Sequence, residues 1–138
     1  MACSDTGRLL PIQSRTMKAL LVCDTDWVRS DVHSALIEPG TTLVDEDDPA
    51  AAASRATAEE VDVVVADLQV GSMGGMAITR SMKEASSVRG DPDVPVVILL
   101  DRNADAFLAK RAGAAAWVRK PFTAFELRAA VAQALDAT

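Results

Sequence analysis

Cysteine, aromatic residues and long apolar runs are all scarce in this 138-residue sequence. Only Cys3 and Cys23 are present, too few for the disulfide framework of a secreted protein, so we predict a reduced, cytoplasmic protein. No apolar run approaches the roughly 20 residues of a membrane helix, and the N-terminal segment lacks an apolar core suited to export. The net charge of −6 argues against nucleic-acid binding, which needs a clustered basic surface.

The composition that remains is that of an ordinary globular protein. Hydrophobic residues make up 49% and charged residues 25%, with an alanine-rich and aromatic-poor core. The length predicts one domain, which we place at residues 17–138, after a flexible N-terminal leader at residues 1–16 that contains Gly7 and Pro11. Because the chain has little room for a second folded unit, any output must come from a partner or another chain.

Short β-branched runs alternate with helical patterns along the sequence. The run from Val61 to Leu68 is almost wholly apolar, as in a strand buried on both faces of a parallel sheet, and it contains Asp67 near its end. Four further strands are predicted at residues 17–23, 41–44, 95–100 and 115–119. The β-α order repeats five times without a hairpin signal, which predicts an α/β protein with a (βα)5 doubly wound, five-stranded parallel sheet.

The intervening segments predict five helices and two notable loops. A first helix is expected through the apolar positions 27–37, and a second from residue 50 to about 58. A third is expected from residue 75 or 76 to about 85, before a mobile loop at residues 86–94. A fourth covers residues 104–112 and ends at Gly113, and a last helix, capped by Thr123, covers the apolar positions 125–135. The acidic run 45–48 is expected to be a solvated loop whose last residue, Asp48, caps a helix that begins at Pro49. Apolar helix positions predict buried faces at Trp27, Val28, Val32, Leu36 and Ile37 in the first helix, and at Ala104, Phe107, Leu108 and Ala112 in the fourth.

Charged side chains fall where the predicted strands end, which is where open α/β sheets place their ligands. They are Asp24, Asp67, Asp101 and Lys120. Two neighbouring carboxylates repel by about 4 kcal/mol at an effective dielectric constant near 20, so Asp24 and Asp67 together call for a cation such as Mg²⁺. Lys120 supplies a compact positive charge suited to a phosphoryl oxygen.

Four motifs, spread over residues 17–136, resemble the receiver domains of two-component response regulators. Their order and spacing are specific, although each motif is short. They are Leu20-Leu21-Val22-Cys23-Asp24 with Arg29, Asp67-Leu68-Gln69-Val70-Gly71-Ser72-Met73-Gly74-Gly75-Met76, Ala112-Gly113-Ala114 and Lys120-Pro121-Phe122. The resemblance implies the flavodoxin-like receiver fold.

The resemblance also implies a role for each matching residue. Asp67 would accept a phosphoryl group from the phosphohistidine of a histidine kinase or phosphotransfer protein. Asp24, Asp67 and the backbone carbonyl of Gln69 would bind Mg²⁺, and Lys120 would neutralise the acyl phosphate. The Lys120-Pro121 peptide bond would be cis and would aim the lysine into the pocket. Such phosphoryl transfer depends mainly on positioning and charge neutralisation.

Several residues depart from the family's pattern. Cys23 stands where the family usually has an acid, which should weaken Mg²⁺ binding. Leu100 replaces the switch Ser or Thr and so removes a hydrogen bond worth about 1.5–3 kcal/mol. Asp101 replaces a small residue and could face solvent, repel a phosphoryl group, or pair with Lys120 and hold an active-like state. Trp117 stands where the family often has a switch Tyr or Phe, and we expect a packed interface tryptophan.

These observations support two hypotheses and disfavour a third. The first is a single-domain receiver phosphorylated on Asp67 that signals through protein contacts. The second is a phosphorylation-independent module that binds proteins or dimerises through its fourth helix, last strand and last helix. The third is a phosphatase, because Asp24-Thr25-Asp26-Trp27-Val28 matches a D-x-D-x-[TV] nucleophile motif. That reading fails because Leu100 stands in place of the required hydroxyl and no acidic pair follows Lys120.

Overall fold

A computed structural model describes residues 16–70, 73–89 and 94–136 of the protein. Five parallel strands form one sheet in the order β2-β1-β3-β4-β5, which confirms the predicted doubly wound fold. The strands are β1 (Met17–Val22), β2 (Thr41–Glu46), β3 (Val63–Asp67), β4 (Val96–Leu100) and β5 (Ala116–Arg119). Of the predicted leader, only Thr16 lies among the described residues.

Five helices cover the two faces of this sheet. They are α1 (Asp26–Leu36), α2 (Ala52–Glu59), α3 (Gly75–Arg89), α4 (Ala106–Ala112) and α5 (Ala124–Asp136), with short 3-10 turns at Pro49–Ala51 and Asn103–Asp105 before α2 and α4. Helices α1 and α5 pack on one face, and α2, α3 and α4 pack on the other. Within the described ranges, no helix has both the length and the apolar character needed to cross a bilayer.

The central strand β3 owes its composition to burial on both faces. Val63 and Val65 point into the core beneath α1 and α5, whereas Val64 and Ala66 point into the core beneath α2, α3 and α4. Every residue of the strand is buried, including Asp67 at its end. This explains why the run lacks the alternating pattern of a strand with one wet face.

Helix α3 is longer than predicted, because it continues into the segment that the sequence predicts as a mobile loop. It ends at Arg89 rather than near Ala85, and residues 90–93 lie outside the described residues. Ile78, Met82 and Ser86 are all buried and follow one another at intervals of four residues, so Ser86 extends the inward face of the helix. Because serine is polar, apolar periodicity alone does not predict that the helix continues through this position.

The acidic run is also only partly a loop. Asp45 and Glu46 extend β2, where they lie opposite Leu21 and Val22 of β1. Strand pairing thus overrides the low strand propensity of two consecutive acids. The predicted cap is confirmed, since the Asp48 side chain accepts a hydrogen bond from the Ala50 amide at 3.0 Å.

A short antiparallel ladder lies in a stretch where the sequence contains no detectable hairpin signal. Gln69 and Val70 pair with Gly74 and Met73, directly after β3. Two residues on each side are too few to produce a detectable alternation. The ladder turns the chain back at the carboxyl edge of the sheet before α3 begins.

Large apolar side chains account for the remaining corrections. Trp27 of α1, Ile37 directly after it, and Phe107 and Leu108 of α4 are exposed rather than buried as predicted, as is the small Ala104 in the turn before α4, and Phe125 of α5 is exposed too. The inward faces of α1 and α5 combine alanines with buried valines and leucines, and the buried residues of α4 are alanines. Those alanines are Ala35, Ala109, Ala112, Ala130 and Ala134.

Candidate functional site

A buried ion pair joins the ends of two strands at the carboxyl edge of the sheet. Asp67, the last residue of β3, has only 2% of its surface exposed. Its Oδ1 lies 2.5 Å from the Nζ of Lys120, which follows β5. The same Nζ lies 3.0 Å from Oδ1 of Asp101, which follows β4. One ammonium group therefore contacts carboxylates from two other strand ends.

The sheet itself brings these three side chains together. Asp67 lies opposite Leu99 in the β3-β4 register, and the Leu68 amide donates to the Leu99 carbonyl at 3.0 Å. On the other side of β4, the Lys120 amide donates to the Leu100 carbonyl at 2.8 Å. The Lys120-Pro121 peptide bond is cis, as predicted. Backbone pairing across β4 thus sets the approach of Lys120 to Asp67.

Two consecutive glycines close the space behind Asp67. A Cβ atom on Gly75 would lie 2.8 Å from the backbone oxygen of Asp67, and one on Gly74 would lie 2.7 Å from that of Leu68. Both distances are too short for a real side chain, so the start of α3 can pack here only with glycine. The sequence motif contains this glycine pair but by itself assigns it no role. Two consecutive glycines between a predicted strand and a predicted helix are the signal that could have indicated this close packing.

The charge of Lys120 is held by its two partners. Burial lowers the pKa of the Lys120 ammonium, but hydrogen bonds and the negative charges of Asp67 and Asp101 outweigh that effect, so its pKa is raised overall. The side chain is 9% exposed. Lys120 is therefore a permanent cation at neutral pH, beside a buried carboxylate that can act as a nucleophile.

The end of β1 contributes Cys23 and Asp24 to the same edge. Val22 lies opposite Ala66, so Cys23 follows β1 beside Asp67, and Asp24 lies one residue further on. The Cys23 thiol is buried, and burial raises its pKa. Arg29, a motif residue with no predicted role, donates from its guanidinium to the Cys23 carbonyl at 3.3 Å. A neutral thiol supplies no hard ligand for a metal ion.

The donor set for a cation can be tested against these positions. Within residues 16–70, 73–89 and 94–136, no cluster of three or more His, Cys, Asp or Glu side chains could hold a metal ion. The predicted set is smaller, with carboxylates at Asp24 and Asp67 and the backbone carbonyl of Gln69. All three offer oxygen, and Lys120 engages only one oxygen of Asp67. The chemistry of this set fits Mg²⁺, which retains several water ligands.

The three predicted switch positions differ in environment. Leu100 is 1% exposed and packs in the core beneath α4 with Ile98 and Ala109. Trp117 is partly buried against the same core, and a role for it in an interface stays a prediction. The Asp101 side chain is 52% exposed and its Oδ1 lies 3.0 Å from the Nζ of Lys120, so it both faces solvent and pairs with that lysine.

An apolar surface lies outside the site, on α4. Phe107 and Leu108 are exposed there, and the guanidinium carbon of Arg111 lies 5.6 Å from the centre of the Phe107 ring. Phe125 of α5 is a further exposed aromatic residue. These residues belong to two of the elements, α4 and α5, that the sequence predicts as a contact surface.

Comparison with known proteins assigns the chain to a family. The family model of the response regulator receiver domain matches residues 19–132, and the chain belongs to that family. A comparison with curated proteins gives no match. Members of the family act in two-component signalling, as signalling modules rather than as enzymes in the usual sense.

Solved receiver structures share the fold. The chain is 23% identical to the chemotaxis response regulator CheY4 of Vibrio cholerae, with a TM-score of 0.74 over 87% of this chain and 99% of that one. It is 26% identical to a LuxR-family response regulator from Aurantimonas sp. SI85-9A1, with a TM-score of 0.75 over 88% and 86%. It is 21% identical to the receiver domain of the sensor histidine kinase PA1611 from Pseudomonas aeruginosa PAO1, with a TM-score of 0.71 over 88% and 98%. That structure has a magnesium ion coordinated in its active-site cleft.

Proposed function

We propose that this protein is a single-domain response regulator that accepts a phosphoryl group on Asp67 and signals by binding another protein. The observation that supports this most is the buried Asp67 carboxylate in contact with Lys120 at the carboxyl edge of the sheet. In the transfer, an Asp67 oxygen forms a bond to phosphorus as the P–N bond of a phosphohistidine breaks. The electron pair of that bond stays on the imidazole nitrogen, and the product is an acyl phosphate.

The side chains around Asp67 suit this reaction. Lys120 places its charge where the phosphoryl oxygens would lie and is held protonated by its carboxylate partners. Asp24, Asp67 and the Gln69 carbonyl would hold Mg²⁺. Bound there, the ion would neutralise negative charge on the carboxylates and the phosphoryl group. Catalysis by the chain is limited to its own phosphorylation and dephosphorylation.

The partners follow from the same chemistry. The phosphodonor is a histidine kinase or phosphotransfer protein of a phosphorelay, and the output is a downstream protein, with neither nucleic acid nor membrane involved. With its acidic net charge and only two cysteines, the protein suits the cytoplasm.

Intact-mass spectrometry after incubation with Mg²⁺ and acetyl phosphate tests the proposal. We expect the mass of one phosphoryl group on the wild-type chain, none on Asp67→Asn, and an unchanged yield on the control Asp31→Asn, which removes an equal charge from an exposed position of α1. Tryptophan fluorescence should also change when beryllofluoride is added with Mg²⁺. Absence of both the adduct and the fluorescence change from the wild type would sink the proposal.

A second candidate is a phosphorylation-independent binding or dimerisation module. Two observations favour it: Asp101 already occupies Lys120, and Phe107 and Leu108 are exposed on α4. The predicted contact surface comprises α4, β5 and α5, and a homodimer is one form it could take. Light scattering should then show a dimer that Phe107→Ala dissociates with or without beryllofluoride. The control Val88→Ala removes an exposed apolar side chain from α3 and should leave the dimer intact.

A further inference from the structure

The side chain of Leu100 cannot report on a phosphoryl group at Asp67. It has no hydrogen-bond donor and is enclosed in the core beneath α4, where it packs with Ile98 and Ala109. Turning it toward the pocket would expose a large apolar side chain and open a cavity in a close-packed region. Any structural response to phosphate must therefore use another residue.

Asp101 is placed to provide that response. It is the first residue after β4. The residue before it, Leu100, is still tied to the sheet, because its carbonyl accepts a hydrogen bond from the Lys120 amide. Its carboxylate contacts the Lys120 ammonium at 3.0 Å while half of the side chain remains exposed. Unlike Asp67, it can leave the lysine and find water at once.

We propose that Asp101 is an internal anionic ligand of Lys120 that an Asp67-bound phosphoryl group displaces, and that its release signals phosphorylation to residues 101–105. This inference rests on the proposed phosphorylation of Asp67. It reverses the usual arrangement, because an anion is released from the pocket instead of a hydroxyl being drawn into it.

Charge decides which group leaves. Phosphorylation replaces the single charge of the Asp67 carboxylate with a phosphoryl group of about −1.5 to −2 and three acceptor oxygens, close to a single ammonium that already faces Asp101. The two anions repel each other. Asp101 is the one released, because its half-exposed carboxylate regains water when it leaves Lys120, whereas the phosphoryl group is bonded to the buried Asp67.

The released carboxylate lies next in sequence to a second cation. Arg102 donates to Asp105 at 3.1 Å, and Asp105 is a buried residue of the turn that leads into α4. Competition between Asp101 and Asp105 for Arg102 then loosens this turn. The signal thus reaches the start of α4 without any movement of Leu100.

Asp101→Asn tests the inference, with Asp31→Asn as the matched control for charge. Beryllofluoride with Mg²⁺ serves as the phosphoryl probe, and its binding is titrated by tryptophan fluorescence. We expect Asp101→Asn to bind it about 2- to 5-fold more tightly than the wild type, as loss of one partly exposed ion pair implies, and Asp31→Asn to match the wild type.

Hydrogen exchange of amides 101–105 provides a second readout. In the wild type, exchange should quicken when beryllofluoride binds, whereas Asp101→Asn should exchange quickly without it. The inference would be overturned if all three proteins bound beryllofluoride with equal affinity. It would also be overturned if the exchange rates of amides 101–105 changed neither with beryllofluoride nor with the substitution. Either result would leave the proposed phosphorylation intact. Failure of all three to bind beryllofluoride and to take phosphate would instead overturn the proposed function, and the inference with it.

Discussion

The ends of β3 and β4 lie side by side in the sheet, yet they preserve different parts of a receiver site. At the end of β3, Asp67 is buried, contacts Lys120 and is backed by Gly74 and Gly75. At the end of β4, a leucine enclosed in the core and an exposed aspartate replace the hydroxyl and the small residue that the family usually has.

If Asp67 is phosphorylated as proposed, this difference means that accepting a phosphoryl group and responding to it are separable properties of one sheet edge. The β3 end needs a carboxylate, a cation and close backbone packing, and all three are present. The β4 end needs a group that moves. In this protein the side chain at the end of β4, Leu100, is enclosed in the core. The side chain that is free to move is the charged one of the next residue, Asp101.

Lys120→Met should give the largest effect, because it removes the cation that serves both ends. Asp67 would be left as a buried, uncompensated charge, and we expect the free energy of unfolding to fall by about 3–5 kcal/mol. Urea denaturation measures this loss. Adding Asp67→Asn to the variant should recover most of it, whereas Lys110→Met on the exposed side of α4 should change stability by no more than about 0.5 kcal/mol. If the double variant were as unstable as Lys120→Met alone, the charge of Asp67 would not be the cause of the loss, and the interpretation of the β3 end would be wrong.

Leu100→Thr would restore a hydroxyl at the β4 end. We expect it to lower the free energy of unfolding by about 2–4 kcal/mol, since a core leucine is replaced by a smaller polar residue. Leu99→Thr makes the same change toward the opposite core and should cost a similar amount. Only Leu100→Thr should enlarge the fluorescence response to beryllofluoride, because its hydroxyl alone can reach the phosphoryl position. An equal response in both variants would argue against the assignment of position 100.

Gly75→Ala tests the packing behind Asp67. The added Cβ would force apart the start of α3 and the Asp67 backbone, so we expect a loss of about 1–3 kcal/mol, although Gly to Ala normally favours a helix. Urea denaturation again measures the loss, and Ser87→Ala at an exposed position of α3 serves as the control. A variant as stable as the wild type would show that the β3 end tolerates more than its geometry indicates.

Cys23→Asp concerns the metal, and the Mg²⁺-dependent change that it tests should be the smallest of these effects. Without Mg²⁺, the added buried carboxylate should lower the melting temperature, and millimolar Mg²⁺ should raise it more in this variant than in the wild type, since binding to the folded state stabilises by mass action. Cys23→Ser adds no charge and serves as the control. If Mg²⁺ raises the melting temperature equally in all three proteins, Cys23 is not what weakens the metal site.

Most of the fold could be predicted because its signals are local. The β3 run, the Gly113 helix end and the Thr123 cap are each encoded within a few residues, and the structure shows each of them. The errors arose where tertiary contacts override local preference. Pairing with β1 holds Glu46 in a strand, and a buried serine extends α3.

The candidate site could be predicted as a set of residues but not as a set of contacts. The motifs place Asp67, Lys120 and Asp101 at one edge of the sheet. Whether Asp101 would face solvent, repel a phosphoryl group or pair with Lys120 depends on the directions in which the three side chains point. In the structure, both carboxylates point at the Nζ atom of Lys120. Sequence spacing carries no information on such a choice.

The contact between Asp67 and Lys120 joins residues 53 positions apart in the chain. At a synthesis rate of about 5–20 residues per second, the lysine is made roughly 3–10 seconds after the aspartate. Until then β3 cannot settle in the centre of the sheet without burying an uncompensated carboxylate. The order of translation thus defers the Asp67–Lys120 contact until the residue after the last strand has been made, so the carboxylate meets its cation only when the sheet can be completed.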